Sequence, residues 1–173
     1  MTGVQTCALP IFNGSSRVVI GNPSNMMVSN NYTLCAWVKV LSHGNYRFFW
    51  GAGTLAAEAL GYGIFSDATT WLAQHRTSGA TAYTALAAHG SNTNWVHLAI
   101  VRNNTLITLY TNGLAAATTT GALYAVPDEP FSIGQRSSDG TWAFGLTGMI
   151  DEAMMFATPL TSYQILQVYQ WRP

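Results

Sequence analysis

The chain has 173 residues, of which 49% are hydrophobic and only 8% charged, and its formal net charge is zero. That length suits one domain and that apolar content suits a large core. Lys39 is the sole lysine and the six arginines are scattered, which excludes nucleic-acid binding by phosphate neutralisation; no apolar run approaches the about 18 residues of a membrane span.

The opening eleven residues, Met1 to Ile11, read as a translated sequencing adapter rather than as biological sequence. They lack the basic start, the long apolar run and the small-residue cleavage site of a signal peptide. They are set apart as a leader, and residues 12–173 are expected to form one domain. Cys7 falls in the leader, which leaves Cys35 as a buried, unpaired small apolar residue.

From there period-two alternation dominates. Tyr32, Leu34, Ala36, Val38 and Val40 fall on one face of a strand, and Thr33, Cys35, Trp37 and Lys39 on the other. Strands are expected over Tyr46 to Ala52, Tyr62 to Phe65, Trp71 to His75, Ala82 to Leu86 and Trp95 to Arg102. A two-residue turn at Asn103-Asn104 leads into Thr105–Thr111. Asn112-Gly113, the favoured type I′ dipeptide, then leads into Leu114–Thr119. Phe131 to Gln135 and Leu146 to Phe156 supply two more strands. Thr161 with Gln164 three residues on reads as a capping box, opening a short helix whose apolar stripe is Leu160, Ile165, Leu166, Val168 and Tyr169. Many short antiparallel strands and one helix predict an all-β, two-sheet sandwich.

Six stretches carry a family resemblance. Phe12-Asn13-Gly14 leading to Val18-Val19-Ile20 resembles an F-D-G opening strand. Tyr32-Thr33-Leu34-Cys35-Ala36-Trp37-Val38-Lys39 is similar to F-T-I-S-A-W-V-K, and Trp95-Val96-His97-Leu98-Ala99 to W-x-H-V-A. Asn112-Gly113 stands at a D-G hairpin and Phe131-Ser132-Ile133-Gly134 at an I-G strand. Gly148-Met149-Ile150-Asp151-Glu152-Ala153 resembles a G-x-I-D-E-V closing strand. Together they resemble the laminin-G-like, concanavalin-A-like jelly-roll domains across residues 12–173. The resemblance implies an antiparallel jelly-roll sandwich with a short C-terminal helix. It also implies a carbohydrate- or protein-binding module, often with a structural calcium ion at its rim. Asp151 would be the side-chain ligand of that Ca2+, with Asn13 standing where the family has Asp.

Read from the residues alone, Asp151 and Glu152 are adjacent and so face opposite ways on a strand, which argues against a two-carboxylate glycosidase. The alternative to calcium is that they bind backbone amides or an arginine at a strand end. None of His43, His75, His89 and His97 has metal-site spacing, and His97 is expected to be a satisfied structural histidine. Trp37, Trp50 and Trp95 fall in strong strand patterns and are expected in the core. The candidate glycan-binding residues are Trp142 with Arg136 and Asp139, in a polar loop offering a stacking face, a donor and an acceptor, and Trp71 with His75. The alternative for Trp142 is a lid folded onto the sandwich edge.

The expected function is a non-catalytic carbohydrate-binding or adhesion module, monomeric within a larger extracellular, cell-surface or virion protein, with a glycan or a surface protein as partner. The alternative is a structural spacer or protein-interaction domain. A glycan binder presents exposed aromatics beside polar side chains in a groove, and a spacer does not.

Overall fold

The computed structural model describes residues 10–24, 26, 30–44, 46–52, 61–76, 82–122, 130–138 and 141–171. The strands run β1 (Ile11–Asn13), β2 (Val18–Gly21), β3 (Asn31–Val40), β4 (Arg47–Ala52), β5 (Gly61–Ser66), β6 (Thr70–Arg76) and β7 (Ala82–Ala88). They continue as β8 (Val96–Asn103), β9 (Leu106–Thr111), β10 (Leu114–Thr120), β11 (Phe131–Ile133), β12 (Arg136–Ser138), β13 (Thr141–Ala143) and β14 (Thr147–Phe156), followed by one helix, α1 (Ser162–Gln170). One six-stranded sheet has the order β1-β14-β3-β8-β9-β10, here sheet A. The other, sheet B, has the order β2-β11-β4-β5-β6-β7, and β12 pairs with β13 as a separate hairpin. All pairings are antiparallel.

The alternation read from the sequence decides what lies between the sheets. Tyr32, Leu34, Ala36, Val38 and Val40 of β3 meet Trp50, Tyr62, Ile64, Trp71 and Ala73 of sheet B in one core. Burying that many large apolar side chains, each worth roughly 1.5–3 kcal/mol, holds the two sheets face to face. The Trp50 Nε1–H donates across the sandwich to the Met154 carbonyl (3.3 Å). On the other face of sheet A, Cys35, Ala99, Val101 and Tyr110 pack with Ile165 of α1, and Met154, Phe156, Leu160 and Val168 pack against them. Sheet A is therefore covered on both faces. Thr161 caps α1 and Gln164 completes the capping box, as the sequence predicts. Burial, then the neighbouring Glu152, pushes the Cys35 thiol up to about 12, so it is an inert core residue.

The Asn112-Gly113 turn has φ of 49° and 81°, the two left-handed residues a type I′ turn requires. Three details differ from the sequence reading. The opening strand is two strands in different sheets: the Asn13 side chain accepts the Ser15 and Ser16 amides (both 3.0 Å) and Gly14 takes φ 91°, so the chain turns between β1 and β2. The β8–β9 turn falls on Asn104-Thr105, because Asn103 pairs with Leu106 and Asn104, not Asn103, takes a left-handed φ of 53°. Where the sequence reads as a polar loop over residues 136–142, Arg136–Ser138 and Thr141–Ala143 pair as β12 and β13.

Candidate functional site

Sheet B has an inner and an outer face, and strand β6 shows how they divide. Trp71, Ala73 and His75 point into the sandwich, so Leu72, Gln74 and Arg76 point out. On this outer face Leu72 joins Phe48, Phe65 and Phe144 in a small apolar cluster. Beside it β5 contributes Gly61 and Gly63, which pair with Arg76 and Gln74. At Gly63 the missing side chain leaves room for the Phe48 and Phe65 rings. A Cβ at Gly63 would come within 2.9 Å of the Phe48 ring and of the Trp50 carbonyl oxygen.

Beside this cluster lies a depression of about 140 Å³ lined by Tyr46, Gln74, Arg76, Arg136 and Phe144. Its walls come from the segment before β4, from β6 and from the β12–β13 hairpin with the residue that follows it. Phe144 is pinned to β4 by its carbonyl, which accepts the Phe48 amide (2.8 Å), and its ring lies 5.5 Å from that of Tyr46. Tyr46 is exposed. The Arg136 Cζ lies over two aromatic rings, 4.9 Å from the Phe144 centroid and 5.4 Å from that of Phe65. Arg136 is 4% exposed, and its Nε is buried with no hydrogen-bond partner. Burial, and then the charge of Arg76, pulls it from its ordinary value down to about 9. No carboxylate among the described residues lines the depression.

The candidate residues read from sequence fall in different places. Arg136 is in the depression. Trp71 is not a stacking platform: it is 3% exposed, in the core, with His89 (4.5 Å) and Phe49 (5.9 Å) against its ring. His75 is 0% exposed; its Nδ1 is hydrogen-bonded to the Tyr32 hydroxyl (2.8 Å), and burial, then Arg102, lowers it to about 3. Both belong to the inner-face register of β6, so they cannot meet a ligand on the outer face. Trp142 is half-buried, and the Arg17 guanidinium lies over its ring at 4.5 Å. Arg17 also donates to Gln135 Oε1 (3.0 Å), and Gln135 donates to the Gly14 carbonyl (3.2 Å). Arg17 thus covers one face of the Trp142 ring. Asp139 lies outside the described residues.

The expected calcium pair does not assemble. Asn13 pairs with Thr147, and Asp151 is four residues further along β14, ~13 Å at strand rise. Oxygens sharing one calcium ion sit within about 5 Å of each other. Both side chains are engaged locally. Asn13 Oδ1 accepts from the Ser15 and Ser16 amides and hydroxyls. Asp151 Oδ1 accepts the Glu152 amide (2.9 Å), where β14 bulges and Glu152 takes φ 48°. Asp151 is a bulge cap, and these residues do not fit a shared metal. Among the described residues no group of three or more His, Cys, Asp and Glu could hold one. His97 also departs from expectation: it is fully buried, yet neither ring nitrogen has a hydrogen-bond partner, and burial lowers it to about 4.

The sequence reading passed over Tyr46, Gln74, Arg76 and Phe144. The signal for Gln74 and Arg76 was present: they alternate with Ala73 and His75, and a strand cannot place both sets in one cleft.

Over residues 12–166 the sequence matches the concanavalin A-like lectin/glucanases superfamily. No curated protein matches it. Among solved structures, the chain is similar to the CBM40 of the Ruminococcus gnavus IT-sialidase bound to α2,3-sialyllactose, at 16% identity and a TM-score of 0.75, covering 93% of this chain and 96% of that one. It is also similar to the heptameric SAP-like pentraxin of Limulus polyphemus, at 15% identity and a TM-score of 0.64, covering 96% and 78%. The botulinum neurotoxin serotype D binding domain aligns at 15% identity and a TM-score of 0.71, covering 92% and 42%. These likenesses show a shared jelly-roll sandwich.

Proposed function

Because the chain belongs to the concanavalin A-like lectin/glucanase superfamily, we propose that it is a non-catalytic carbohydrate-binding module whose ligand lies in the depression on the outer face of sheet B. One observation carries this reading. The exposed Tyr46 and the half-buried Phe144 stand beside the donors of Gln74, Arg76 and Arg136 in one depression. A ring face packs on the apolar face of a sugar while fixed polar groups take its hydroxyls, the usual build of a small-ligand site. The likeness to a domain bound to sialyllactose supports the same ligand class. A site on an extracellular, cell-surface or virion protein is the setting in which such a module meets glycans.

Hydrolysis would need two carboxyl groups flanking one bond. Asp67 accepts Thr69 and Thr70 amides in the β5–β6 turn, and Asp151 and Glu152 sit in the β14 bulge of sheet A; none of the three lines the depression. The test is a glycan array probed with the full chain, repeated with Tyr46→Ala. Binding to one glycan class, lost in the variant at unchanged melting temperature, is the expected result. Binding to no glycan would sink this reading and leave the spacer alternative.

A further inference from the structure

The depression holds two guanidinium groups and, among the described residues, no acid. Arg76 reaches it from the end of β6 and Arg136 from β12, so two separate elements converge on one spot. Arg136 is almost wholly buried, its Nε has no hydrogen-bond partner, and neither has the buried Nε of Arg76. The Phe65 and Phe144 rings lie 5.4 and 4.9 Å from the Arg136 Cζ, so aromatic groups rather than hydrogen-bond acceptors surround the guanidinium. A buried charge without a counter-ion is costly, and two like charges side by side more so. An anion seated between them would offset both costs. Guanidinium donors are set in a planar fork that matches a carboxylate two bonds at a time. The depression is also small beside the several hundred Å³ of a typical ligand pocket, so it suits the end of a chain rather than its middle.

We infer that the outer face of sheet B selects glycans ending in a carboxylated sugar, with Arg76 and Arg136 together binding the carboxylate and the Tyr46 and Phe144 rings flanking the sugar. This rests on the carbohydrate-binding reading above and adds the ligand's chemical class. Gln74, beside Arg76 on the same strand face, is placed to bind a hydroxyl of the same residue.

The experiment is an array printed with matched neutral, carboxylated and sulfated forms of the same oligosaccharides. The full chain is applied, with Arg136→Lys, Arg76→Gln and, as a control on the opposite sheet, Lys39→Gln. Carboxylated forms should bind, and their neutral parents should bind about tenfold more weakly or not at all. Arg136→Lys keeps the charge but loses the fork, so it should lose most of the binding; Arg76→Gln should do likewise, and Lys39→Gln should bind as the parent does. Melting curves of each variant separate lost binding from lost folding, and Arg76, at the end of its strand, gives a reading even if Arg136→Lys fails to fold. Equal binding of neutral and carboxylated forms overturns the carboxylate assignment and leaves the carbohydrate reading standing. Sulfated forms binding as tightly as carboxylated ones also overturn it, since charge alone would then suffice. No binding to any form overturns both.

Discussion

The outer faces of the two sheets are made of similar strands and end up doing opposite things. On sheet A the helix α1 lies over Cys35, Ala99, Val101 and Tyr110, and Tyr169 packs its ring 5.4 Å from that of Trp37 and 5.9 Å from that of His97. That face is finished with apolar contacts. On sheet B the described residues place no helix over the outer face; a few phenylalanines are collected at one side, beside a depression that holds two arginines. The covered face contributes stability, though His97 there is buried without a hydrogen-bond partner; the open one holds two arginines whose buried Nε atoms have none. Unpaired buried polar groups cost free energy, and on the open face a ligand can reach them.

Four changes sharpen or break that comparison. The largest effect belongs to the covered face. Ile165→Ala removes a fully buried side chain between α1 and sheet A and should cost about 2–5 kcal/mol in urea unfolding, with glycan binding by the remaining folded protein intact. A loss of binding at full folding would show that the faces are coupled.

Acid should act on the covered face next. The folded His97 protonates only near pH 4, well below its ordinary 6.5. Between those values the unfolded chain takes up a proton that the folded chain refuses. His97 therefore costs nothing above pH 6.5, and stability falls as pH drops from 6.5 towards 4, by ~3 kcal/mol in all. Unfolding curves at pH 7 and pH 4.5 should differ less for His97→Phe than for the parent; an equal difference would remove His97 as the cause.

The open face answers to volume. Gly63→Ala drives a methyl group against the Phe48 ring and the Trp50 carbonyl, with an expected cost of about 1–3 kcal/mol. The melting temperature should fall accordingly, and an unchanged one would show that the Phe48 ring yields without cost. The smallest effect is expected at Asp151→Ala, which removes the acceptor of the Glu152 amide at the β14 bulge, on neither outer surface's ligand side. About 1 kcal/mol should be lost, and calcium should leave the melting temperatures of parent and variant unmoved. A calcium-dependent rise lost in the variant would restore Asp151 as a metal ligand.

Much of the scaffold was legible because it rests on local rules. The faces of β3, the Asn112-Gly113 turn and the Thr161–Gln164 capping box each depend on residues close in sequence, and each appears where the pattern put it. The Asn103-Asn104 turn slipped by one residue because both asparagines tolerate a left-handed φ and only pairing with β9 chooses between them. The pairing of β12 with β13 is hard to read from the sequence because each strand is only three residues long.

The site was less legible, and β6 shows why. Its sequence, Thr70-Trp71-Leu72-Ala73-Gln74-His75-Arg76, offers a ligand-like set on each face. Trp71 and His75 look chemically richer than Leu72, Gln74 and Arg76. Period two says only that the two sets part company; it does not say which faces the other sheet. Likewise Asp151 and Asn13 carry the resemblance's calcium pair, but the register of β1 on β14 sets them ~13 Å apart along the strand. The sequence by itself determined an all-β sandwich, its main strands, its capped helix and its superfamily, because alternation, turns and caps are written in neighbouring residues. Only the tertiary structure decided which face of sheet B is open, that Arg76 and Arg136 meet there and that Trp71 and His75 do not, because those facts depend on strand register and sheet packing between residues far apart in the chain.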